Sequence, residues 1–107
     1  MAYSQSNDGG LFTPSYTKTG MVNEINVKQT GKVVRINIQV TPTTTGIHNI
    51  VSGLPITDSS AYGFGVIDSS GARADSWLRI LGSGILQVYV ANSENVKMDF
   101  TLIYLTT

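Results

Sequence analysis

The chain has 107 residues, a length that favours one domain able to bury about two-thirds of its unfolded surface. Seven basic and seven acidic residues balance, and there is no cysteine. These figures exclude a disulfide framework and a thiolate metal site, and the scattered charges form no basic stripe for nucleic acid. The longest apolar run is far shorter than the roughly 20 residues of a membrane-spanning helix. We therefore expect neither nucleic-acid binding nor membrane insertion.

The first part of the chain differs in composition from the rest. Residues 1–20 are low in hydrophobic side chains and rich in Ser, Thr, Asn and Gly. They also lack the charged-then-apolar pattern of a signal peptide. This composition predicts an N-terminal arm or linker over residues 1–20 and a folded head domain over residues 21–107.

Alternation of apolar and polar residues with a period of two dominates the head domain. Four aliphatic side chains share one face of residues 32–41: Val34, Ile36, Ile38 and Val40. Similar patterns predict strands over residues 85–91 and 97–105, and weaker ones over 21–28, 46–51, 61–67 and 77–81. Short strands joined by Gly-, Ser- and Asn-containing turns are typical of an all-β, antiparallel β-sandwich of jelly-roll-like form.

Two strands have unusual faces. The strand over 97–105 ends with Ile103 and Leu105 on the face opposite its main apolar row, so we expect burial on both sides, in part against other copies of the chain. In the strand over 61–67, Tyr62 and Phe64 alternate with glycines. We expect these rings to fill the core, and the glycine face to allow close approach of another backbone.

The inventory of catalytic side chains is thin. The sequence has one histidine, no phosphate loop and no Gly-x-Ser-x-Gly elbow. A pair of carboxylates for glycoside hydrolysis could come from five acids, Asp58, Asp68, Asp75, Glu94 and Asp99. Solvated loop acids are the simpler interpretation of each. We therefore predict a protein that is not an enzyme and that needs neither cofactor nor metal.

The segment from Asp75 to Arg79 is the best candidate for recognition. On a strand, Trp77 and Arg79 project from one face and Asp75 continues it. An indole ring can pack on the C–H face of a sugar, while guanidinium and carboxylate groups bond its hydroxyls. The alternative is that Trp77 packs in the core or in a subunit interface, with the stem of Arg79 covering apolar surface. His48 joins this candidate site only if the fold places it beside Trp77.

The order of several short motifs resembles a known family. The motifs are Gly31-Lys32-Val33-Val34-Arg35-Ile36, Gly53-Leu54-Pro55, Leu78-Arg79-Ile80, Gly84-Ile85-Leu86-Gln87-Val88 and Ile103-Tyr104-Leu105. Over roughly residues 22–107, this order resembles the C-terminal head domains of phage tail fibres and siphophage baseplate receptor-binding proteins. Many members follow the Leu-Pro pair with an aromatic residue and a second proline, where this chain has Ile56-Thr57-Asp58.

The resemblance implies a homotrimeric jelly-roll head on the tail tip of a virion, outside the cell. It implies binding of cell-wall or surface polysaccharide in shallow clefts, and contact with other tail or baseplate proteins. The residue types used in such clefts match Trp77, His48, Asp75 and Arg79. Two alternatives remain: a purely structural tail component that binds virion proteins, and a jelly-roll ligand of the tumour-necrosis-factor type that binds a protein receptor.

Overall fold

The computed structural model describes residues 11–107, in which all regular secondary structure is β-strand. The strands of this part of the chain are β1 (Leu11–Phe12), β2 (Thr17–Lys18), β3 (Val22–Thr30), β4 (Val33–Val40), β5 (Gly46–Ser52), β6 (Ala61–Ile67), β7 (Arg73–Ile80), β8 (Leu86–Val90) and β9 (Met98–Leu105). No helix in residues 11–107 is long and apolar enough to cross a membrane.

The strands form one antiparallel sheet in the order β1-β3-β4-β9-β6-β7-β8-β5-β2. The sheet curls, so that the inner faces of its two halves pack against each other in a single core. The predicted all-β antiparallel class is therefore confirmed, with one curled sheet supplying both layers of the sandwich. The outer faces of the two halves point away from each other.

The core follows the predicted alternation. Val34, Ile36, Ile38 and Val40 of β4 are all buried. The facing half supplies buried side chains from β5, β7 and β8: Ile50, Val51, Ala74, Leu78, Ile80, Leu86, Val88 and Val90. Each large aliphatic side chain removed from water contributes about 1.5–3 kcal/mol, so this shared core fixes which face of every strand points outward.

Two short strands within residues 11–20, β1 and β2, belong to the same sheet. Leu11 pairs with Thr30 at one edge, and Lys18 pairs with Val51 at the other. This part of the predicted arm therefore covers both edges of the sheet, where unpaired backbone groups would otherwise be available to other chains. The prediction for residues 1–10 lies outside the described residues.

The glycine face of β6 is turned inward. A Cβ atom built on Gly63 would lie 2.5 Å from the carbonyl oxygen of Thr101, and one on Gly65 would lie 2.6 Å from the ring of Phe100. The predicted close approach of a neighbouring backbone is confirmed at Gly63. At Gly65, a side chain from β9 fills the space that a larger residue would need.

The prediction that the aromatic residues of β6 fill the core is wrong. Tyr62 is 53% exposed and Phe64 is 57% exposed. The physical reason is that Phe100 occupies the interior beside Gly65, so β6 turns its glycines inward and its rings outward.

The outer face of β4 and β9 ends in an exposed apolar patch. Val33 pairs with Leu105, Leu11 lies at the adjoining edge, and Ile103 is the next outward residue of β9. Ile103 is 58% exposed and Leu105 is 64% exposed, so the second face of this strand is not buried within one chain. We call Leu11, Val33, Ile103 and Leu105 the apolar strip.

Candidate functional site

Two rows of side chains cross the outer face of the half-sheet β6-β7-β8-β5. The first, which we call the aromatic row, follows the pairing register through Phe64, Trp77, Tyr89 and Ile47. The second, which we call the polar row, lies two residues along each strand and follows the register through Tyr62, Arg79, Gln87 and Asn49. Strand pairing therefore brings eight side chains from four strands into one surface.

Trp77 lies in the middle of the aromatic row and is half-buried. It stacks on Tyr89 with ring centroids 5.1 Å apart and planes inclined by 22°. The Tyr62 ring meets it edge-on, with centroids 5.5 Å apart and planes inclined by 70°. The rings that offer most surface to solvent are consequently Tyr62 and Phe64, with Trp77 packed between its neighbours.

Arg79 faces outward as predicted, and its guanidinium is held in place by neutral groups. Its Nη2 donates a hydrogen bond of 2.7 Å to Gln87 Oε1, and Gln87 Nε2 donates one of 2.8 Å to Asn49 Oδ1. The guanidinium carbon lies 5.7 Å from the centroid of the Trp77 ring, within range of a cation–π contact. The Nε–H group of Arg79 is buried and has no hydrogen-bond partner among residues 11–107.

Asp75 shares the outward face of β7, but its carboxylate is turned to the loop between β8 and β9. It accepts a hydrogen bond of 3.1 Å from the backbone N–H of Asn92 and another from the hydroxyl of Ser93. The Ser93 hydrogen bond is the main reason that the pKa of Asp75 is lowered. Asp75 thus stabilises the loop between β8 and β9.

His48 does not join Trp77. It pairs with the buried Val88, whereas its neighbour Ile47 pairs with Tyr89, so His48 projects from the opposite face of β5. Its Nε2 atom lies 2.9 Å from the carbonyl oxygen of Thr44. Of the four predicted site residues, the structure brings Asp75, Trp77 and Arg79 to one face and leaves His48 on the other.

A polar groove lies on the outer face of the other half-sheet. Its volume is about 370 Å³, and its polar lining consists of Glu24, Asn26, Asn37, Gln39, Asp99 and Thr101. Two hydrogen bonds cross its floor: Gln39 Nε2 donates to Asp99 Oδ1 at 3.0 Å, and Thr101 Oγ1 donates to Asn37 Oδ1 at 2.9 Å. These side chains therefore use part of their hydrogen-bonding capacity on one another.

The acids near the groove do not assemble into a metal site. The Asp99 carboxyl raises the pKa of the nearby Asp68, first through a hydrogen bond and then through its charge. Within the part of the chain that the structure describes, no group of three or more His, Asp or Glu side chains is placed to hold a metal ion.

Sequence reasoning misses much of the surface around Trp77. It places Tyr62 and Phe64 in the core, and it does not single out Ile47, Gln87 or Asn49. Gln87 is separated from Arg79 by only eight residues, yet Asn49 is 38 residues from Gln87. The outward alternation of β8 gave a signal for Gln87, whereas the position of Asn49 depends on which strands pair.

Comparison with known proteins adds no relative to this description. No protein-family model matches the sequence, and a search of curated proteins finds no significant match. The aromatic and polar rows are therefore the features from which a function can be inferred.

Proposed function

We propose that this chain is the host-receptor-binding head of a phage tail fibre or baseplate protein, and that it binds a cell-surface saccharide without catalysis. The proposed site is the outer face of β6-β7-β8-β5. The observation that carries the proposal is the polar row, where the exposed ring of Tyr62 stands beside Arg79, Gln87 and Asn49 in direct register.

The chemistry of these side chains suits a sugar. The apolar C–H face of a sugar can pack on an aromatic ring, and its hydroxyl groups need both donors and acceptors. Tyr62 and Phe64 supply exposed rings. Arg79, Gln87 and Asn49 supply donors and acceptors on neighbouring strands, where the sheet holds them at fixed spacing.

Trp77 has a supporting role in this proposal. Because Tyr89 stacks on it and Tyr62 meets it edge-on, its ring holds the neighbouring rings in place. The stacking platform for the sugar is Tyr62, with Phe64 at the adjoining position of the aromatic row.

A shallow surface of this kind binds one sugar weakly, since water offers hydroxyl groups equally good hydrogen bonds. Assembly into a homotrimer is therefore part of the proposal, because linked sites can raise avidity by roughly 10²–10⁴. The apolar strip supports this part, since its side chains are exposed in the single chain and symmetric copies offer a way to bury them.

The proposal is tested by retention of the purified chain on cell-wall polysaccharide from a panel of bacterial hosts. We expect strong retention on one host wall and loss of retention in Tyr62→Ala. Phe12→Ala is the matched control, since Phe12 is an exposed ring outside both rows, and it should be retained like the wild type. Absence of retention on every wall, or equal retention of Tyr62→Ala, would contradict the proposal.

A structural tail component that binds other tail or baseplate proteins is the second candidate. Trp, Tyr and Arg are enriched in protein interfaces, and the packing of Trp77 between two tyrosines fits such a surface. This candidate predicts no retention on any polysaccharide and a stable complex with a purified tail or baseplate protein that is lost in Tyr62→Ala.

A further inference from the structure

We infer that the saccharide bound by this surface is anionic, and that its carboxylate or phosphate group binds the guanidinium of Arg79 while the adjoining sugar ring lies on Tyr62. This inference rests on the proposed function and deepens it by naming the charge of the ligand. Carboxylate and phosphate share the chemistry that matters here, which is a pair of negatively charged oxygens that an arginine can bind together.

The Arg79 guanidinium has a hydrogen-bond donor without an acceptor among residues 11–107. It is a permanent cation with five N–H donors, and its side-chain acceptor within residues 11–107 is the neutral amide oxygen of Gln87. Its buried Nε–H group has no hydrogen-bond partner in the described part of the chain. A buried donor without an acceptor has lost its hydrogen bond to water and has gained none in exchange, so such groups are rare and often mark functional positions. Because Nε is buried, a ligand cannot reach it. Its missing partner shows instead that the guanidinium as a whole is incompletely hydrogen-bonded within the described residues.

Arg79 also lies directly beside an exposed aromatic ring. Tyr62 and Arg79 are directly paired between β6 and β7, so one sugar unit can cover the ring and place a charged substituent over the guanidinium. The contact with Trp77 and the hydrogen bond to Gln87 fix the guanidinium from two sides. A cation already held in position loses little side-chain entropy when an anion binds.

The other charged side chains on the outer face of β7 favour an anion at the Arg79 end of the strand. Asp75 lies on the same face of β7, but its carboxylate accepts hydrogen bonds from Asn92 and Ser93 and is turned to their loop. Arg73 lies beyond Asp75, with its guanidinium carbon 4.6 Å from the centroid of the Phe64 ring. Asp75 therefore separates the two arginines. At the Arg73 end the guanidinium lies over the exposed Phe64 ring, whereas at the Arg79 end the exposed ring of Tyr62 lies beside the guanidinium in the neighbouring strand. The Arg79 end is thus the one where an anion and a sugar ring can bind side by side.

The test is a calorimetric titration of the full chain with three oligosaccharides of equal length. One carries uronic acids, one is the same compound with its carboxyl groups reduced to alcohols, and one carries phosphodiester groups. We expect one of the two anionic compounds to bind about tenfold or more tighter than the neutral one. Added salt should weaken the binding of that compound alone. The tighter of the two anionic compounds identifies the anion.

Variants separate a specific site from general attraction of charge. Arg79→Gln should abolish the preference for the anionic compound, and Arg79→Lys should restore only part of it because an ammonium cannot bind two oxygens in parallel. Arg73→Gln is the matched control, since it removes the same charge from the same face of the same strand, and it should keep the preference. Thermal midpoints of all variants show whether the fold is intact.

Each remaining outcome overturns the inference. Equal affinity for the anionic and neutral compounds would do so while leaving saccharide binding in place. An equal loss in Arg73→Gln and Arg79→Gln would show general charge attraction rather than a site. Failure to bind any of the three compounds, when host polysaccharide is still retained, would exclude an anion at Arg79. Failure to retain polysaccharide as well would reject the proposed function too.

Discussion

Trp77 and Tyr89 stack across β7 and β8 on the outer face of the sheet, with ring centroids 5.1 Å apart and planes inclined by 22°. Tyr62 meets the other side of the indole edge-on. Trp77 therefore faces outward and is packed at the same time. This arrangement combines the two interpretations of Trp77 that the sequence left open, since the residue can stabilise the fold and support a binding surface.

Trp77→Ala should lower the free energy of unfolding by about 1–3 kcal/mol, because aromatic pairs contribute about 0.5–1.5 kcal/mol each beyond burial. Trp77→Phe, which keeps a ring between the two tyrosines, should lose less. Denaturant unfolding followed by circular dichroism measures both values. An unchanged midpoint for Trp77→Ala would show that the stack contributes nothing to stability.

Gly63→Ala should destabilise the chain by about 1–3 kcal/mol. The added methyl group would meet the backbone oxygen of Thr101 at 2.5 Å, and a paired strand cannot move away without losing its own hydrogen bonds. Gly20→Ala is the control, because no atom of residues 11–107 outside its chain neighbours lies within 4 Å of a Cβ atom built there. Similar thermal midpoints for the two variants would contradict the close packing of β6 on β9.

The strands with clear alternation could be predicted from the sequence. In β4 a wrong choice of face would bury Arg35 and Asn37, so only one orientation is possible. The alternation of β6 is equally regular, but glycines occupy one face and rings the other. Its orientation depends on Phe100 of β9, a strand that pairs with β6 but is distant from it in sequence. The Phe100 ring fills the interior beside Gly65, and the periodicity of β6 alone contains no information about that contact.

The candidate site was predictable only within one strand. The spacing of Asp75, Trp77 and Arg79 places them on one face of β7, as the structure shows. The partners of that face come from other strands, and their positions depend on register. In the pairing of β5 with β8, Ile47 lies beside Tyr89. A shift of that pairing by one residue would place His48 there instead.

Acid should remove the contribution of Asp75 to stability. Its pKa in the folded chain lies below the ordinary value of 3.8, mainly because of the Ser93 hydrogen bond. A lowered pKa means that the stabilisation is complete above the unfolded pKa and is lost as the pH falls through the folded one. The difference in thermal midpoint between the wild type and Asp75→Asn should therefore be constant near neutral pH and shrink below about pH 4.

The same variant pair can be compared in a Ser93→Ala background. Without the Ser93 hydroxyl, the pH dependence of the difference should be weaker, because the main cause of the lowered pKa is gone. An unchanged pH dependence would assign the shift to another group.

Ile103→Asp should weaken self-association without unfolding the chain. Ile103 is 58% exposed in the single chain, so a carboxylate there remains hydrated in the monomer and becomes costly only when the apolar strip is covered. Sedimentation equilibrium should give a trimer for the wild type and smaller species for Ile103→Asp, with the same circular dichroism. Asn26→Asp adds the same charge to the same half-sheet outside the apolar strip and should assemble normally. A wild type that is monomeric at micromolar concentration would contradict the proposed assembly.

The most direct test of the proposed binding surface is a nuclear magnetic resonance titration of the isotope-labelled chain. The ligand is a set of fragments of cell-wall polysaccharide from a host whose polysaccharide retains the chain. We expect shifts concentrated at Tyr62, Arg79, Gln87 and Asn49, with smaller shifts at the neighbouring aromatic row. Shifts confined to the polar groove of β3, β4 and β9 or to the apolar strip, with the polar row unchanged, would contradict it.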